Sequence, residues 1–428
     1  MSPTLTSTIT CDLEGRIETF SKGAEQVFQY SADEVIGKKR VSLFSPGLVV
    51  LEHVPTWLRI AAEKGEFKTQ TVFLRKDGAA FAADIRITPT FKDGRQIGFC
   101  GVTTPRPDVD VTKAWPQIAL MTKIFSALVV TRAPFLSATI VPVVIGAAWA
   151  SSRGLVSPFP WGLFWLVLLG ACAMHIAANT FNDYFDWTSG TDKINNDYFM
   201  PFSGGSRSIE LGLISEKGLY RLAVLSTLVA ATCGLAVIAL TGRIGLLAFG
   251  AFGVFSTYFY TAPPLRLAAR RGLGELIIGL NFGPLMVAGT VYALSGSLTW
   301  LDFLAGAPIG LFTAAILWIN EFPDLKADEL SGKFNLVVTL GQERARWGYP
   351  ILLALAFGLV ILGAALGWFS IGALAMLLSL PLAFFTTRTL FQQYRDRALI
   401  KGNAATIQLH MLSGLLLAAG LWISAILK

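Results

Sequence analysis

Charged residues are scarce in this sequence, and their scarcity excludes an ordinary soluble protein. Asp, Glu, Lys and Arg make up 15% of the 428 residues and hydrophobic residues 53%, whereas a soluble domain is about a quarter charged. The four cysteines form no Cys-x-x-Cys pair, so neither a disulfide framework nor a zinc site is indicated. Residues 1–20 lack the basic start and apolar core of a secretory signal, and we expect the N-terminal part to stay in the cytoplasm.

The shortage of charge lies almost entirely after Trp115, because residues 1–110 have the composition of a soluble domain. Nine apolar segments follow, each near the roughly 20 residues that a helix needs to cross a bilayer. We place the nine predicted transmembrane helices at 132–151, 159–181, 219–241, 244–261, 272–294, 299–320, 348–367, 369–387 and 405–427.

The chain has a net charge of +7, and the basic residues of its C-terminal part lie mostly in the loops between these segments. Fifteen of these basic residues fall on one side, and three fall on the other: Arg153, Arg243 and Lys428. Cytoplasmic loops are the ones enriched in Lys and Arg. The sequence therefore predicts an integral protein of a bacterial-type cytoplasmic membrane, in contact with lipid, with its N-terminal domain in the cytoplasm. The same distribution argues against a nucleic-acid partner.

The N-terminal region has the pattern of a mixed α/β domain. Ser31 and Glu34 form a predicted capping box. The periodicity predicts a hairpin over Ile9–Ile17, a helix over Phe20–Tyr30 and strands over Phe67–Leu74, Ala80–Pro89 and Gln96–Thr103. The runs CDLEGRIETFSKGAEQVFQYSADEVIGK, FLRKDGAAFAADIRITP and GFCGVT resemble a PAS domain. That resemblance implies a sensory or regulatory module with an unidentified ligand, or a surface for dimerisation or for a protein partner.

The predicted fold class is therefore a multi-domain chain. An α/β PAS-like domain occupies residues 1–106, and a linker with an interfacial helix occupies 107–130. An all-α polytopic membrane domain of nine transmembrane helices occupies 131–428.

Two groups of carboxylates lie at the cytoplasmic ends of predicted spans. The second span runs into HIAANTFNDYFDWTSGTD and the sixth into NEFPDLKADELSGKF. Residues three or four apart share a helix face, so Asp183 with Asp186, and Asp324 with Asp328, are expected to point together. The candidate catalytic residues are Asp183, Asp186, Asp192, Asp324 and Asp328.

A divalent cation accounts for such an arrangement. Carboxylates beside a bilayer are costly unless they are compensated, and neighbouring carboxylates repel one another. Oxygen ligands without His or Cys favour magnesium over zinc, and magnesium held by few carboxylates keeps positions open for phosphate oxygens. Solvated acids that cap helix ends are the usual explanation of one Asp pair. Two such groups favour a metal and a diphosphate substrate.

The two motifs resemble those of the UbiA superfamily of intramembrane prenyltransferases. Asn182, Asp186 and Asp192 match its first motif, and Asp324 and Asp328 match its second. The resemblance implies helices around a central cavity in which two magnesium ions bridge Asp186, Asp192, Asp324 and Asp328 to an isoprenoid diphosphate. The allylic cation then alkylates an electron-rich ring, which loses a proton or a carboxylate.

Further residues are predicted to bind substrate. In YTAPPLRLAARRGLGE, Tyr260 and Arg266 match positions that bind diphosphate in the family, and Arg132 heads the first span. Lys193 and Arg207 flank the first motif, and either is a candidate to bind a phosphate oxygen. The predicted substrate-binding set is Arg132, Asn182, Lys193, Arg207, Tyr260, Arg266 and Asn320.

The acceptor is indicated by finer features. The form NDYxDxxxGxD, the run YTAPPLRL and the GKxxLxVxLG ending at Gly341 resemble the dihydroxynaphthoate prenyltransferases of menaquinone synthesis. Pro323 and Asn335 depart from that branch, which often has arginine and threonine there. Homogentisate, hydroxybenzoate or a glyceryl phosphate therefore stay open as acceptors, and a PAS-linked membrane sensor or a transporter are the alternatives from other classes.

Overall fold

A computed structural model describes residues 5–194 and 205–427. The chain forms two compact units. One consists of Met1–Val130 together with Arg207–Ser215, and the other of Thr131–Ser206 together with Glu216–Lys428.

The N-terminal unit is built on a five-stranded antiparallel sheet with the strand order β2-β1-β5-β4-β3. Its strands are β1 (Ser7–Asp12), β2 (Ile17–Phe20), β3 (Phe67–Leu74), β4 (Ala80–Lys92) and β5 (Arg95–Pro105). Buried Ile17, Phe28, Phe44 and Phe73 lie in the main hydrophobic cluster of the unit. The predicted strands and the α/β character of this region are confirmed.

Short helices complete this unit. They are α1 (Lys22–Phe28), α2 (Ala32–Val35), α3 (Gly47–Glu52), α4 (Val54–Lys64), α5 (Val111–Ala114) and α6 (Leu120–Val130). The capping box is present, because the Ser31 N–H donates to Glu34 Oε2 at 2.9 Å. The segment Arg207–Ser215 packs within the same unit so tightly that a methyl group on Gly47 would collide with the Leu211 carbonyl.

The membrane unit is helical. Its helices are α7 (Ser137–Ser152), α8 (Trp161–Thr188), α9 (Thr191–Ile194), α10 (Glu216–Thr241), α11 (Leu246–Phe259), α12 (Leu273–Leu280), α13 (Met286–Ser295), α14 (Trp300–Leu330), α15 (Leu336–Leu340), α16 (Gln342–Ala345), α17 (Gly348–Ala365), α18 (Leu380–Gln393) and α19 (Ile400–Ile426).

Eight helical stretches in the described part of the chain are long and apolar enough to cross a membrane. They correspond to eight of the nine predicted spans. The remaining predicted span, at 244–261, forms the 14-residue helix α11. At 1.5 Å per residue this helix is about 21 Å long. It is shorter than predicted because the backbone turns at Gly242–Gly245 before the helix and at Thr261 after it.

Helix α14 is the central element of this unit. Phe312, Ile319 and Phe322 are buried along it, and the Trp318 Nε1–H donates to the Ala345 carbonyl at 2.8 Å. A π-helical turn, Asn281–Leu285, crosses α14 where Gly283 meets Gly306 and Gly310. A Cβ atom at any of these glycines would collide with backbone, so the close crossing requires glycine.

Candidate active site

The membrane unit encloses a cavity of about 460 Å³, a size typical of small-molecule sites. Residues of α8, α10, α11, α12 and α14 line it. Leu166, Val167, Phe249, Ile277 and Ile316 contribute to its apolar part. Its charged lining residues are Arg132, Asp186, Asp192, Glu321, Asp324, Asp328 and Lys333.

The end of α8 supplies the first motif. Asn182 and Asp186 are one turn apart, share a helix face and line the cavity. Helix α8 ends at Thr188, and a turn with Gly190 at φ 85° leads into α9, whose Asp192 is buried and also lines the cavity. The three residues of the first motif therefore line the same cavity.

Asp183 has a different position from the other four predicted carboxylates. It is buried, and it is not among the described residues that line the cavity. Its Oδ1 lies 3.1 Å from Arg132 Nη2, and both its carboxylate oxygens accept from the Ser206 N–H at 3.3 Å. Asp183 therefore lies behind the cavity wall rather than on it, because Asn182, one turn before Asp186, takes the position that faces the cavity. The geometry favours a role in positioning Arg132.

Gly205 packs against this ion pair. Its φ of 75° lies in the left-handed region that favours glycine. A Cβ atom there would lie 2.9 Å from Asp183 Oδ1 and 3.3 Å from Arg132 Nη2. The absence of a side chain at 205 lets the chain approach the pair directly.

The end of α14 supplies the second motif. Asn320, Asp324 and Asp328 follow one another at intervals of four residues and line the cavity. Asn320 Oδ1 accepts from Asn403 Nδ2 at 2.7 Å, which fixes the amide. Asp328 Oδ2 accepts from Asn335 Nδ2 at 2.8 Å. The departure from the family pattern at Asn335 thus has a structural role beside Asp328.

Lys333 is a cavity residue that the sequence analysis did not select. Its Nζ lies 3.8 Å from Asp328 Oδ1. Burial disfavours the charge on Lys333, but Asp328 and Asp186 outweigh burial and raise its pKa well above the ordinary value. Its place five residues after Asp328, in the loop that follows α14, was the available signal.

The other predicted substrate-binding residues are distributed differently. Tyr260 lines the cavity, and Arg266 lines a small adjoining cleft with Asp186, Tyr260 and Lys333. Arg207 belongs to the N-terminal unit, where its Nη1 donates to Glu210 Oε2 at 3.0 Å. The side chain of Lys193 lies outside the described part of the chain.

The donor set fits magnesium that arrives with a ligand. Among the described residues, no three His, Cys, Asp or Glu side chains are close enough to hold a metal ion by themselves. Asp186, Asp192, Asp324 and Asp328 nevertheless line one cavity with oxygen donors only. Magnesium in proteins is commonly held by one or two carboxylates plus substrate phosphates and water, so these residues suit a magnesium–diphosphate complex.

Comparisons with known proteins agree with this geometry. Residues 139–403 match the family model for the UbiA prenyltransferase family, and residues 5–103 match a PAS domain. The chain is 28% identical over 295 residues to 2-carboxy-1,4-naphthoquinone phytyltransferase of Synechocystis, covering 68% of this chain and 92% of the relative. It is 32% identical over 250 residues to 1,4-dihydroxy-2-naphthoate octaprenyltransferase of Mycobacterium tuberculosis, covering 57% and 80%.

A solved structure shares the fold of the membrane unit. The UbiA homolog from Archaeoglobus fulgidus bound to GPP and Mg²⁺ aligns with a TM-score of 0.53 at 16% identity. The alignment covers 71% of this chain and 100% of the homolog.

Proposed function

The chain belongs to the UbiA prenyltransferase family and carries a PAS domain, and we propose that it transfers a polyprenyl group from its diphosphate to 1,4-dihydroxy-2-naphthoate with the aid of magnesium. The chain is an integral membrane prenyltransferase. The observation that carries the proposal is the cavity in which four aspartates and two cationic side chains adjoin an apolar lining.

The charged part of the cavity suits the diphosphate. Asp186 and Asp192 from one motif, and Asp324 and Asp328 from the other, would hold two magnesium ions. Bound magnesium supplies positive charge that stabilises a diphosphate leaving group. Arg132 and Lys333 add fixed positive charge that faces the same anion.

The apolar part suits the prenyl chain. In the proposed reaction the bond between the first prenyl carbon and oxygen breaks, and its electron pair leaves with the diphosphate. The ring carbon that bears the carboxyl group forms the new carbon–carbon bond, and that carboxyl group leaves as carbon dioxide. The Asn403 hydrogen bond orients Asn320, and Asp183 orients Arg132, so both contacts favour a fixed substrate position.

The acceptor assignment rests on the relatives. Their names specify dihydroxynaphthoate or a carboxynaphthoquinone as the prenylated ring, and the NDYxDxxxGxD form of the first motif agrees with them. The fifteen-to-three bias of basic residues supports a cytoplasmic N-terminal domain. We propose that this domain, over residues 1–106, regulates the enzyme or recruits a partner.

Mass spectrometry of reaction products tests the proposal. Purified protein with magnesium, a long-chain polyprenyl diphosphate and dihydroxynaphthoate should give a decarboxylated prenyl naphthoquinol. Homogentisate and hydroxybenzoate serve as parallel acceptors. Product from either of these but not from dihydroxynaphthoate would overturn the acceptor assignment, and equal turnover after chelation of divalent ions would overturn the magnesium assignment.

A further inference from the structure

Glu321 is a buried carboxylate that the proposed reaction does not yet use. It lies on α14, lines the cavity and is only 7% exposed. Its Oε2 has no hydrogen-bond partner within the described part of the chain. A buried carboxylate oxygen without a donor costs free energy, so its retention in a cavity points to a donor that arrives with a ligand.

Two other buried carboxylates of this unit show the contrast. Asp302 is fully buried and accepts hydrogen bonds from Trp149 Nε1 at 2.7 Å and from the Thr299 N–H at 2.6 Å. Glu275 Oε1 accepts from the Leu336 N–H at 2.7 Å, while its Oε2, like that of Glu321, has no hydrogen-bond partner among the described residues. Glu275 differs from Glu321 in that it is not among the described residues that line the cavity. Of these three carboxylates, Glu321 alone faces the space where substrates bind.

The position of Glu321 along α14 indicates which substrate it meets. It precedes Asp324 by three residues, which is about 4.5 Å along the helix axis. The cavity residues before it on α14 include apolar Ile316 and Leu317, and those after it are Asp324 and Asp328. Glu321 therefore lies at the border between the apolar and the charged lining. The first prenyl carbon, which is bonded to the diphosphate, must lie at that border too, and so must the ring that attacks it.

The charges around Glu321 narrow the ligand chemistry. Glu275, Asp328 and Asp324 act on it as negative neighbours and Lys333 as a positive one. An acid among other acids repels a phosphate oxygen unless a metal ion lies between them, and Glu321 is not one of the assigned magnesium ligands. Its surroundings therefore favour a hydrogen-bond donor. The phenolic hydroxyls of a dihydroxy-aromatic acceptor are donors of this kind.

We propose that the Glu321 carboxylate accepts a hydrogen bond from a ring hydroxyl of the aromatic acceptor and thereby sets which ring carbon faces the prenyl group. This inference rests on the proposed function, because it presumes an aromatic acceptor in the cavity. It makes Glu321 a specificity-determining residue, separate from the four aspartates assigned to magnesium.

The test compares dihydroxynaphthoate with its two mono-O-methyl ethers. Wild-type enzyme should prefer the free hydroxyl over one of the ethers by about fivefold or more in kcat/KM, the range expected for one net hydrogen bond. Glu321→Leu should abolish that preference, so that the two acceptors have about equal kcat/KM. Glu321→Gln, which keeps a neutral hydrogen-bond acceptor, should give an intermediate preference. The KM for prenyl diphosphate and the half-saturating magnesium concentration should stay within about twofold.

Asp302→Asn is the matched control, because it changes a buried carboxylate of the same helix that lies outside the cavity lining and about 28 Å from Glu321 along the helix axis. Its preference per folded molecule should equal that of wild type. An unchanged preference in both Glu321 variants would overturn the inference. So would a large shift in half-saturating magnesium with the preference intact, since Glu321 would then act on the metal. If wild-type protein prenylates no aromatic acceptor, the proposed function fails instead. Calorimetric titration of dihydroxynaphthoate alone into wild type and Glu321→Gln then tests the hydrogen bond independently of turnover. Weaker binding to the variant supports the bond, and equal affinity would contradict it.

Discussion

The two ends of helix α14 both carry buried carboxylates, but these have different partners. At the N-terminal end, Asp302 accepts from Trp149 Nε1 and from both the N–H and the hydroxyl of Thr299, with Arg153 Nη1 3.4 Å away. At the C-terminal end, Asp328 has one amide donor and a lysine 3.8 Å away, and Glu321 Oε2 has no partner among the described residues. The chain itself supplies the donors for Asp302, which holds the fold, whereas Asp328 and Glu321 line the cavity and are available to a ligand.

The largest effect should follow from a change at the C-terminal end. Asp324→Asn or Asp186→Asn removes a proposed magnesium ligand and should lower turnover by about a hundredfold or more, the size typical for loss of one stabilising group of the transition state. Turnover is to be measured per amount of folded, membrane-inserted protein. Chelation should have the same effect and added magnesium should reverse it in wild type. Unchanged rates in both variants would contradict a site built from two facing motifs.

The same substitution at the N-terminal end should change stability rather than chemistry. The Asp302 carboxylate accepts hydrogen bonds from Trp149 and Thr299, and Asp302→Asn replaces one of its oxygens with an NH2 group. The substitution should destabilise the fold by about 2 kcal/mol. Thermal unfolding in detergent, with and without the substitution, measures this. Turnover per folded molecule should remain within about twofold of wild type. Loss of turnover at full stability would remove the distinction between the two ends.

Asp183 has features of both ends of α14. Its carboxylate receives hydrogen bonds from its own chain, but its partner Arg132 lines the cavity. Asp183→Asn weakens its pairing with Arg132 and should raise the KM for prenyl diphosphate by about tenfold, as for other residues that orient a ligand. The effect should be smaller than that of Asp186→Asn. An equal or larger loss, with kcat rather than KM affected, would assign Asp183 a direct part in the chemistry.

The two ends of α14 are predicted to lie on opposite sides of the membrane. The bias of basic residues predicts that Ser189, near the first motif, faces the cytoplasm and that Ser297, near Asp302, faces the opposite side. Single cysteines at 189 and 297 are to be introduced after replacement of Cys11, Cys100, Cys172 and Cys233. Impermeant thiol reagents should then label them from opposite faces. Labelling of both from one face would refute the predicted arrangement of spans.

The smallest effect is expected from removal of the N-terminal domain. No cavity-lining residue in the described part of the chain precedes Arg132, so a chain that starts near Asp110 should keep turnover within about threefold if it inserts and folds. Gel filtration in detergent serves as the folding control. A folded truncation without any turnover would mean that residues 1–109 contribute directly to the reaction.

Much of the fold could be predicted because local signals specify it. Strand β3 spans Phe67–Leu74, the range predicted from the periodicity of its residues. Eight long apolar stretches were recognisable as spans, since the bilayer fixes their length. The extent of α11 was overestimated, because composition alone does not separate its apolar residues from the turn that precedes it.

The site could be predicted only in part, because several of its features depend on contacts between distant residues. The motif spacing identified Asp186 and Asp324, which do line one cavity. The pairing of Asp183 with Arg132 depends on helix rotation and on a partner 51 positions away. The presence of Arg207 in the N-terminal unit depends on packing of segments far apart in sequence. Residue type and spacing carry no information on such contacts.

Isothermal titration of a prenyl diphosphate into detergent-solubilised protein tests most directly whether the cavity-lining aspartates at the C-terminal end of α14 belong to a magnesium–diphosphate site. The titration is run with and without magnesium on wild type, Asp324→Asn and Asp302→Asn, below the unfolding temperature of each. Wild type and Asp302→Asn should bind the diphosphate tightly only when magnesium is present, and Asp324→Asn should lose most of that binding. Equal, magnesium-dependent affinity in all three proteins would contradict the assignment of the C-terminal end of α14 to the substrate.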